Sequence, residues 1–240
     1  MTTVALITGA GQGLGRATAE RLHADGHDIV AVDLDGAKAR ATADALGGQW
    51  RVCDVGDREA VAQLVASLPD GIDILINNAG IWRFGPLSTA DPTDIDTVLR
   101  TNLGGTINCT LAFAPSIAAR GGGSVVNLTS AAAPMRAQGV GIYPVSKAAV
   151  EALTQQLAVE LGPKGIRVNA VGPGMIVTEG TAPSYADPAI REARTAMVPI
   201  RAIGGPSDIA DAIAFLVSGA ARYISGQILY VDGGVTAGRS

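Results

Sequence analysis

The chain has few cysteines: only Cys53 and Cys109 occur among its 240 residues, far apart and outside any C-x-x-C motif. Two such residues cannot build the disulfide framework of a small secreted protein or the paired thiolates of a redox or metal site. Isolated cysteines of this kind usually behave as small buried hydrophobes. The sequence therefore predicts free buried thiols, a reducing cytoplasm and no metal site.

Charge and long apolar runs are also scarce. Charged residues make up 17% of the chain, the net charge is -4, and no basic run has the pattern that tracks a nucleic-acid backbone. No apolar run reaches the roughly 20 residues that a membrane-spanning helix needs, and the start, MTTVALITGA, lacks the basic region of a signal peptide. We therefore expect a small-molecule ligand, and neither nucleic acid nor a membrane as partner.

Apolar, β-branched runs alternate with helix-length segments along the whole chain, which is typical of a parallel sheet built from β-α-β units. The pattern predicts an α/β, doubly wound Rossmann fold with a seven-stranded parallel sheet, helices on both faces, and a single domain over residues 1–240. The predicted strands are VALIT, IVAVD, WRVCD, IDILIN, SVVNLT, IRVNAV and QILYV. The predicted helices cover residues 13–24, 37–46, 58–67, 93–119, 144–161 and 206–217.

One segment interrupts this alternation. Residues 178–205 stand where a short loop is expected between a strand and a helix. Loops of that length in a compact domain often cover a site. We therefore predict a lid at about 178–205.

The first predicted strand runs into LITGAGQGLG at residues 6–15, which carries four glycines at alternate positions. They do not fit the G-x-G-x-x-G spacing, because Leu14 and Arg16 stand where the last glycine would be. The loop nevertheless lies at the carboxyl end of a strand and before a helix, whose unpaired N–H groups would face an anion. A pyrophosphate-binding loop is favoured over a merely flexible turn.

Asp33 ends the second predicted strand, about twenty residues beyond the glycine loop, where an acid accepts hydrogen bonds from a dinucleotide's ribose hydroxyls. A phosphate on that ribose would face the carboxylate across a few ångströms, a repulsion of about 1 to 4 kcal/mol. NAD is therefore favoured over NADP. The next two strands end in Asp54-Val55 and in residues 77–80, which would line the same crevice.

Ser130 follows the fifth predicted strand, and Tyr143 and Lys147 come later in a Y-x-x-x-K pattern. A spacing of four places this pair on one face of a helix. A lysine ammonium within about 4 to 6 Å lowers the pKa of a tyrosine by about 1 to 3, which suits proton transfer near neutral pH. The pair alone is a weak signal, since exposed helix faces carry it by chance.

Together these motifs resemble the short-chain dehydrogenases/reductases over about residues 4–234. The glycine loop matches that family's T-G-x-x-x-G-x-G motif, with Thr8, Gly9, Gly13 and Gly15. Gly11 is then interpreted as a permissive extra glycine. Further matches are N-N-A-G at 77–80, Asn102, Ser130, Y-x-x-x-K at Tyr143 and Lys147, P-G-x-x-x-T at Pro173, Gly174 and Thr178, and S-G-Q-x-x-x-V-D-G-G at 225–234.

The resemblance implies an oxidoreductase that transfers a hydride between nicotinamide and a carbinol or carbonyl carbon. Tyr143 would be the general acid/base, with Lys147 lowering its pKa and holding the nicotinamide ribose. Ser130 would hydrogen-bond the substrate oxygen. Asn102 would join Lys147 through a water in a proton path to solvent.

The resemblance also implies a cofactor site and a subunit assembly. Ile176 and Thr178 would meet the nicotinamide carboxamide, and residues 78–80 would flank the ribose and adenine. A homotetramer is expected, or less often a dimer. The complete set of expected cofactor-binding residues is Gly9, Gln12, Gly13, Leu14, Gly15, Asp33, Leu34, Asp54, Val55, Asn78, Ala79, Gly80, Tyr143, Lys147, Pro173, Gly174, Ile176 and Thr178.

Two residues depart from the family pattern. Gln12 stands where NADP-dependent members often have a basic residue, which again favours NAD. Pro144 follows the catalytic tyrosine, and proline is tolerated only in the first turn of a helix. The helix should therefore start at Tyr143 or Pro144, where its positive dipole end would favour the phenolate.

The expected substrate pocket is mostly apolar or small, with Trp82, Ala131, Ala132 and Met175 as its main candidates. Trp82 and Phe84 fit a core or an interface equally well, and Arg83 fits a solvated loop better than a substrate contact. Such a pocket suits a hydrophobic secondary alcohol or ketone. The alternatives are a reductase of 3-oxoacyl thioesters, whose members generally use NADP, and a non-catalytic NAD-binding regulator.

Overall fold

The chain's structure, a computed structural model, describes residues 2–135 and 137–238. Within these residues seven strands form one sheet: β1 Val4–Thr8, β2 Asp28–Asp33, β3 Gln49–Val52, β4 Ile74–Asn77, β5 Gly123–Leu128, β6 Ile166–Pro173 and β7 Ile228–Val231. All neighbouring pairs are parallel, in the order β3-β2-β1-β4-β5-β6-β7. The predicted doubly wound α/β fold is confirmed.

The helices that connect these strands are α1 Gly13–Ala24, α2 Gly36–Leu46, α3 Arg58–Ala66, α4 Pro92–Leu99, α5 Gly105–Ala119, α6 Tyr143–Leu161, α7 Pro188–Met197 and α8 Pro206–Val217. Several begin at a residue suited to cap them, because aspartate side chains accept backbone N–H groups at the starts of α2, α3, α4 and α7. Helix α1 is different, because Gln12 makes no side-chain cap and the first turn holds no acid.

Each face of the sheet has its own apolar core. Alternate side chains along a strand point to opposite faces, so Leu6 joins one core and Ile7 the other. The face with Leu6 packs against α3, α5 and α6, and the face with Ile7 packs against α1, α2 and α8. Both sides are therefore covered, which explains the apolar runs in every inner strand.

Two predicted segments differ in detail from the structure. The predicted helix over 93–119 is helical throughout, but a π-helical turn at Arg100–Gly104 separates α4 from α5. The segment at 178–205 contains a 3-10 turn at Ala182–Tyr185 and α7, so it has helical structure of its own. Helix α6 begins at Tyr143, as Pro144 predicts.

Cys53 and Cys109 are buried and free, as predicted, and both lie in the core beside α5. Burial raises the pKa of Cys53 to about 11 and that of Cys109 to about 12, so neither thiol is reactive near neutral pH. In the described ranges, no helix combines the length and apolarity that crossing a membrane requires. The same residues contain no group of three or more His, Cys, Asp or Glu placed to hold a metal.

Asp73 joins three elements at the amino edge of the sheet. Its carboxylate accepts the backbone N–H of Val4, at the start of β1, at 2.7 Å. Arg120, at the end of α5, donates to both carboxylate oxygens at 2.7 and 2.8 Å. Burial alone would raise the pKa of Asp73, but the hydrogen bonds from Arg120 and Val4 outweigh it and hold the pKa below its ordinary value.

We predict that Asp73→Asn lowers the free energy of unfolding at pH 7 by about 1 to 3 kcal/mol, because Arg120 loses its charged acceptor. The folded-state pKa is depressed, so this stabilisation is present above the unfolded pKa of about 3.9 and lost as the pH falls through the folded value. Urea unfolding of both proteins between pH 7 and about pH 3 measures the difference.

The control is Asp44→Asn, which breaks an exposed i,i+4 pair with Arg40 and should cost less than about 1 kcal/mol. A difference between wild type and Asp73→Asn that persisted unchanged at acid pH would contradict this account of the Asp73 carboxylate.

Candidate active site

The loop after β1 turns tightly into α1 and leaves little space at its glycines. Gly9 and Gly13 have φ values of +65° and +57°, the left-handed region that favours glycine. A Cβ atom on Gly15 would lie 2.1 Å from the carbonyl oxygen of Gly9. The T-G-x-x-x-G-x-G glycines are therefore required by the path of the backbone.

The end of β4 holds this loop in place. The hydroxyl oxygen of Thr8 accepts the backbone N–H groups of Asn78 and Ala79 at 3.1 and 3.0 Å. The Asn78 side-chain amide nitrogen donates to the carbonyl oxygens of Thr8 and Gly9 at 2.9 and 3.0 Å. The Asn78 side chain thus braces the glycine loop from the adjacent strand.

Gly11 is not the permissive extra that the sequence suggested. Its N–H donates to Oδ2 of Asp33 at 2.9 Å. A Cβ atom on Gly11 would lie 2.6 Å from Cβ of Lys38 and 2.8 Å from Oδ2 of Asp33. The glycine lets the loop approach this carboxylate, whose other oxygen accepts the N–H of Asp35 at 3.0 Å. Leu34, the next residue, is largely exposed.

A lysine that sequence analysis missed lies at the same end of the crevice. Nζ of Lys38 donates to the Gln12 side-chain oxygen at 2.9 Å and lies 3.8 Å from Oδ2 of Asp35. The available signal was its position in the first turn of the helix that follows Asp33. A cation therefore stands near the expected ribose site, although Gln12 itself is uncharged.

The residues that follow β3 make contacts that sequence analysis did not predict. Asp54 forms an ion pair with Arg100 at 2.8 Å and accepts the backbone N–H of Gly56 at 2.9 Å. Val55 is buried against α5, where a Cβ atom on Gly105 would lie 2.5 Å from a Val55 methyl group. The side chain of Val55 belongs to the core, which leaves its backbone for any cofactor contact.

Asn102 lies on the π-helical turn and is completely buried. Its side-chain oxygen accepts the N–H of Ile81 at 2.8 Å, and its amide nitrogen donates to the Ile81 carbonyl at 2.9 Å and the Ser146 hydroxyl at 3.0 Å. A Cβ atom on Gly80 would lie 3.3 Å from both the Asn102 oxygen and Nζ of Lys147. The asparagine therefore ties the segment after β4 to α6, beside the lysine.

Lys147 lies one turn beyond Tyr143 on α6 and is 5% exposed. Its ammonium donates to the carbonyl oxygen of Leu128 at 2.7 Å and lies 5.9 Å from the centre of the Tyr143 ring. Burial lowers the pKa of Lys147 to about 8. The predicted pairing of Tyr143 and Lys147 on one helical face is thus present in the structure.

The pKa of Tyr143 differs from the expectation of a lowered value. Burial raises this pKa above its ordinary value, and a hydrogen bond with the Ser130 side chain offsets part of the rise. Neither Lys147 at 5.9 Å nor the start of α6 reverses the desolvation of the phenolate. Tyr143 is therefore protonated near neutral pH, and it is hydrogen-bonded to Ser130.

The expected pocket residues lie on both sides of this centre. Trp82 is 43% exposed, and its ring lies 3.7 Å from where a Cβ atom on Gly180 would be. Trp82 therefore contacts the 178–205 segment and is not a core residue. Ala131 is buried, whereas Ala132 and Met175 are half-buried. Ala132 donates its N–H to the Ser130 hydroxyl at 3.1 Å, which orients that serine.

The two residues after Trp82 are exposed to solvent. Arg83 forms an exposed ion pair with Asp94 at 3.1 Å, so its charge has a partner within the chain. Phe84 is 69% exposed. The interpretation of Arg83 as a solvated loop charge therefore agrees with its position.

The strand β6 leads the chain back towards the glycine loop. The carbonyl of Pro173 accepts the N–H of Ala131 at 2.9 Å. Gly174 packs so closely that a Cβ atom there would lie 2.5 Å from Cα of Asp232. Ile176 is 8% exposed and packs in the core, and Thr178 reaches the surroundings of Gly13.

Glu179, in the same segment, also contacts the glycine loop, and sequence analysis did not predict this contact. Its carboxylate accepts the N–H of Gly13, the first residue of α1, at 3.0 Å. The two residues are 166 positions apart, so no local pattern could have joined them. An anionic group from the chain itself therefore sits on the phosphate loop.

Comparison with known proteins agrees with this architecture. The profile of a family described as "Enoyl-(Acyl carrier protein) reductase" matches residues 9–236. The chain is 36% identical to a Staphylococcus aureus protein named 3-oxoacyl-[acyl-carrier-protein] reductase FabG, over 98% of both chains. It is 38% identical to Dehydrogenase/reductase SDR family member 4 of Sus scrofa, over 98% of this chain and 87% of that protein.

A solved structure described as a short chain dehydrogenase/reductase family protein superposes with a TM-score of 0.91. It is 37% identical and covers 98% of this chain and 97% of its own. This chain belongs to the short-chain dehydrogenase/reductase family. It is an oxidoreductase of that family, and the family binds a nicotinamide cofactor.

The glycine loop fits the phosphates of such a cofactor. Close packing at Gly15 keeps the backbone of the loop near the N-terminal end of α1. The first turn of that helix has no side-chain cap from Gln12 and no acidic residue. Glu179 shows that an anion is accepted there. In this dehydrogenase/reductase the loop glycines would hold the phosphates and Asp33 the ribose.

We predict that Gly11→Ala weakens dinucleotide binding by about tenfold, because the new methyl group displaces Asp33, whose hydrogen bonds to the ribose would be charge-assisted. Fluorescence titration with NADH and NADPH measures both affinities. Gly219→Ala is the matched control, since a Cβ atom there meets nothing within 4 Å. Equal affinities of the wild type and Gly11→Ala would show that the contact with Asp33 is unimportant.

Proposed function

We propose that this chain is an NAD-dependent short-chain alcohol dehydrogenase or carbonyl reductase that acts on a hydrophobic secondary alcohol or ketone. The observation that carries the proposal is the convergence of Ser130, Tyr143 and Lys147 at the crevice that starts from the glycine loop. Gly80 supports the link, because it lies two residues after Asn78, which braces the loop, and its Cβ position lies 3.3 Å from Nζ of Lys147.

The proposed mechanism follows from the protonation state of Tyr143 and the positions of Ser130 and Lys147. Tyr143 keeps its proton near neutral pH because burial raises its pKa, so it can donate that proton to a carbonyl oxygen held by Ser130. In the direction of oxidation, Tyr143 would first lose its proton along the path through Lys147, and its phenolate would then accept the proton of the alcohol. The nicotinamide of a bound cofactor supplies or accepts the hydride. Lys147 would hold the cofactor ribose beside them.

Asn102 would help to hold a water molecule of the proton path. Its side-chain oxygen accepts the N–H of Ile81 and retains a second lone pair, and this oxygen and Nζ of Lys147 both lie 3.3 Å from the Cβ position of Gly80. A water between that oxygen and Nζ of Lys147 would extend a path towards solvent. Lys147 suits such a path, since a pKa of about 8 lets it exchange protons near neutral pH.

The preference for NAD rests on Asp33. Its carboxylate is fixed by the N–H groups of Gly11 and Asp35, so it cannot easily turn away from a phosphate on the ribose. Lys38 would favour NADP instead, because it is a nearby cation, and its ammonium donates to the Gln12 side chain. We expect the fixed carboxylate to prevail, because the ammonium is on a flexible, exposed side chain.

We predict that NADH binds about fivefold to several hundredfold more tightly than NADPH, in line with a repulsion of about 1 to 4 kcal/mol from Asp33. Asp33→Asn should narrow the difference, whereas Asp44→Asn, which removes an exposed charge from α2, should not change it. Fluorescence titration of the three proteins tests this. NADPH binding as tight as NADH binding in the wild type would rule out the role given to Asp33.

A second candidate is a reductase of 3-oxoacyl thioesters. It is favoured by the Staphylococcus aureus relative, whose name states that activity, at 36% identity over 98% of the chain. Such reductases generally use NADP, so Lys38 would then be the residue that meets the additional phosphate. Activity with a 3-oxoacyl thioester and NADPH, greater than with any ketone and NADH, would favour this candidate.

We predict that Tyr143→Phe lowers turnover by at least about 10²- to 10⁴-fold and leaves NADH binding within a few fold, because only the proton donor is removed. The assay uses a panel of secondary alcohols, ketones and a 3-oxoacyl thioester with both cofactors. Tyr223→Phe, at a fully exposed position, is the control. Wild-type turnover in Tyr143→Phe would refute the mechanism, and NADH binding without turnover of any compound would favour a non-catalytic regulator.

We further propose that residues 1–240 act as one catalytic domain in the cytoplasm. Residues 178–205 would form a lid over its site.

We also propose that the chain forms a homotetramer. Apolar side chains on the long helices support this assembly. Leu111 on α5 and Val145 and Val159 on α6 are between 52% and 75% exposed, and a subunit interface on these helices would bury them.

A further inference from the structure

Helix α1 begins without a capping group from its own sequence. Gln12 precedes it without a side-chain hydrogen bond to the first turn, and that turn contains no acidic residue. The first N–H groups of a helix have no partner within the helix, and they carry its positive dipole end. The start of α1 therefore favours an anion supplied from elsewhere.

Glu179 supplies that anion. Its carboxylate accepts the N–H of Gly13 at 3.0 Å, although the residue belongs to the segment after β6. The turn that carries it is braced: the Thr181 hydroxyl accepts the N–H of Thr178 at 2.8 Å and donates to the Ile176 carbonyl at 2.8 Å. Because Ile176 is buried in the core, the turn holds Glu179 in a fixed position beside the glycine loop.

We infer that Glu179 is a residue that sets cofactor affinity, because its carboxylate holds the position that a cofactor phosphate needs. The inference rests on the proposed dinucleotide site at this loop. A phosphate that binds to the N–H of Gly13 must first displace the carboxylate, and the two anions then repel each other. Displacement also releases the 178–205 segment from α1, so cofactor binding and the position of the lid are coupled.

The test uses ADP, which carries the phosphates without nicotinamide, and isothermal titration calorimetry, which needs no catalytic activity. Glu179→Gln removes the charge and Glu179→Ala removes the acceptor as well. Both should bind ADP about three- to tenfold more tightly than the wild type, within the range expected for a carboxylate at a helix N-terminus together with phosphate repulsion. Their affinity for adenosine, which has no phosphate, should stay unchanged.

Glu192→Gln is the matched control, since it removes the same charge from α7 of the lid segment and should leave the ADP affinity unaltered. A purely structural cap would give the opposite result: the Glu179 variants would melt at a lower temperature and bind ADP no more tightly. Unchanged or weaker ADP binding in both variants, or an equal gain for adenosine, would overturn the inference.

The experiment separates this inference from the proposed function. If the wild type and both Glu179 variants bind ADP and NADH with equal affinity, the dinucleotide site stands and the role of Glu179 is refuted. If none of the proteins binds ADP or NADH, the proposed NAD-dependent function and the inference both fail.

Discussion

Asn78 donates from one amide nitrogen to two carbonyl oxygens of the glycine loop, those of Thr8 and Gly9, and this contact fixes the loop against the end of β4. Gly15 must be glycine for the same reason, because a Cβ atom there would lie 2.5 Å from the Asn78 amide nitrogen. The segment after Asn78 then leads directly to Gly80, beside Lys147. One close contact between neighbouring strands thus sets the distance between the phosphate end and the reacting end of the crevice.

At the reacting end, burial dominates the electrostatics. It lowers the pKa of Lys147 to about 8 and raises that of Tyr143, so burial disfavours the charged form of both groups, although Lys147 remains mostly protonated at pH 7. The carbonyl of Leu128 takes a hydrogen bond from the lysine, and Ser130 bonds the tyrosine. Tyr143 is therefore protonated near neutral pH, which suits the proton donation proposed for it.

Sequence periodicity predicted the sheet and its helices because those patterns are local and the inner strands are apolar on both faces. The start of α6 was also predictable, since Pro144 fits only a first turn. What the sequence could not reveal depends on contacts between distant segments. The crowding of Gly11 depends on Lys38 and Asp33, and the π-helical turn that positions Asn102 has no pattern of its own. The raised pKa of Tyr143 likewise required its burial to be known.

Two carboxylates are held against the loop that follows β1. Asp33 accepts the N–H of Gly11 and Glu179 accepts the N–H of Gly13, so an anionic cofactor bound as proposed would meet a carboxylate at each of these places. Lys38 is a cation at the ribose end, and the Gln12 side chain accepts its hydrogen bond. Binding then depends on backbone N–H groups and on the close approach that the glycines allow. We therefore propose that a loop built in this way would discriminate against each additional phosphate, which would connect the affinity proposed to be set at Gly13 to the cofactor choice proposed for Asp33.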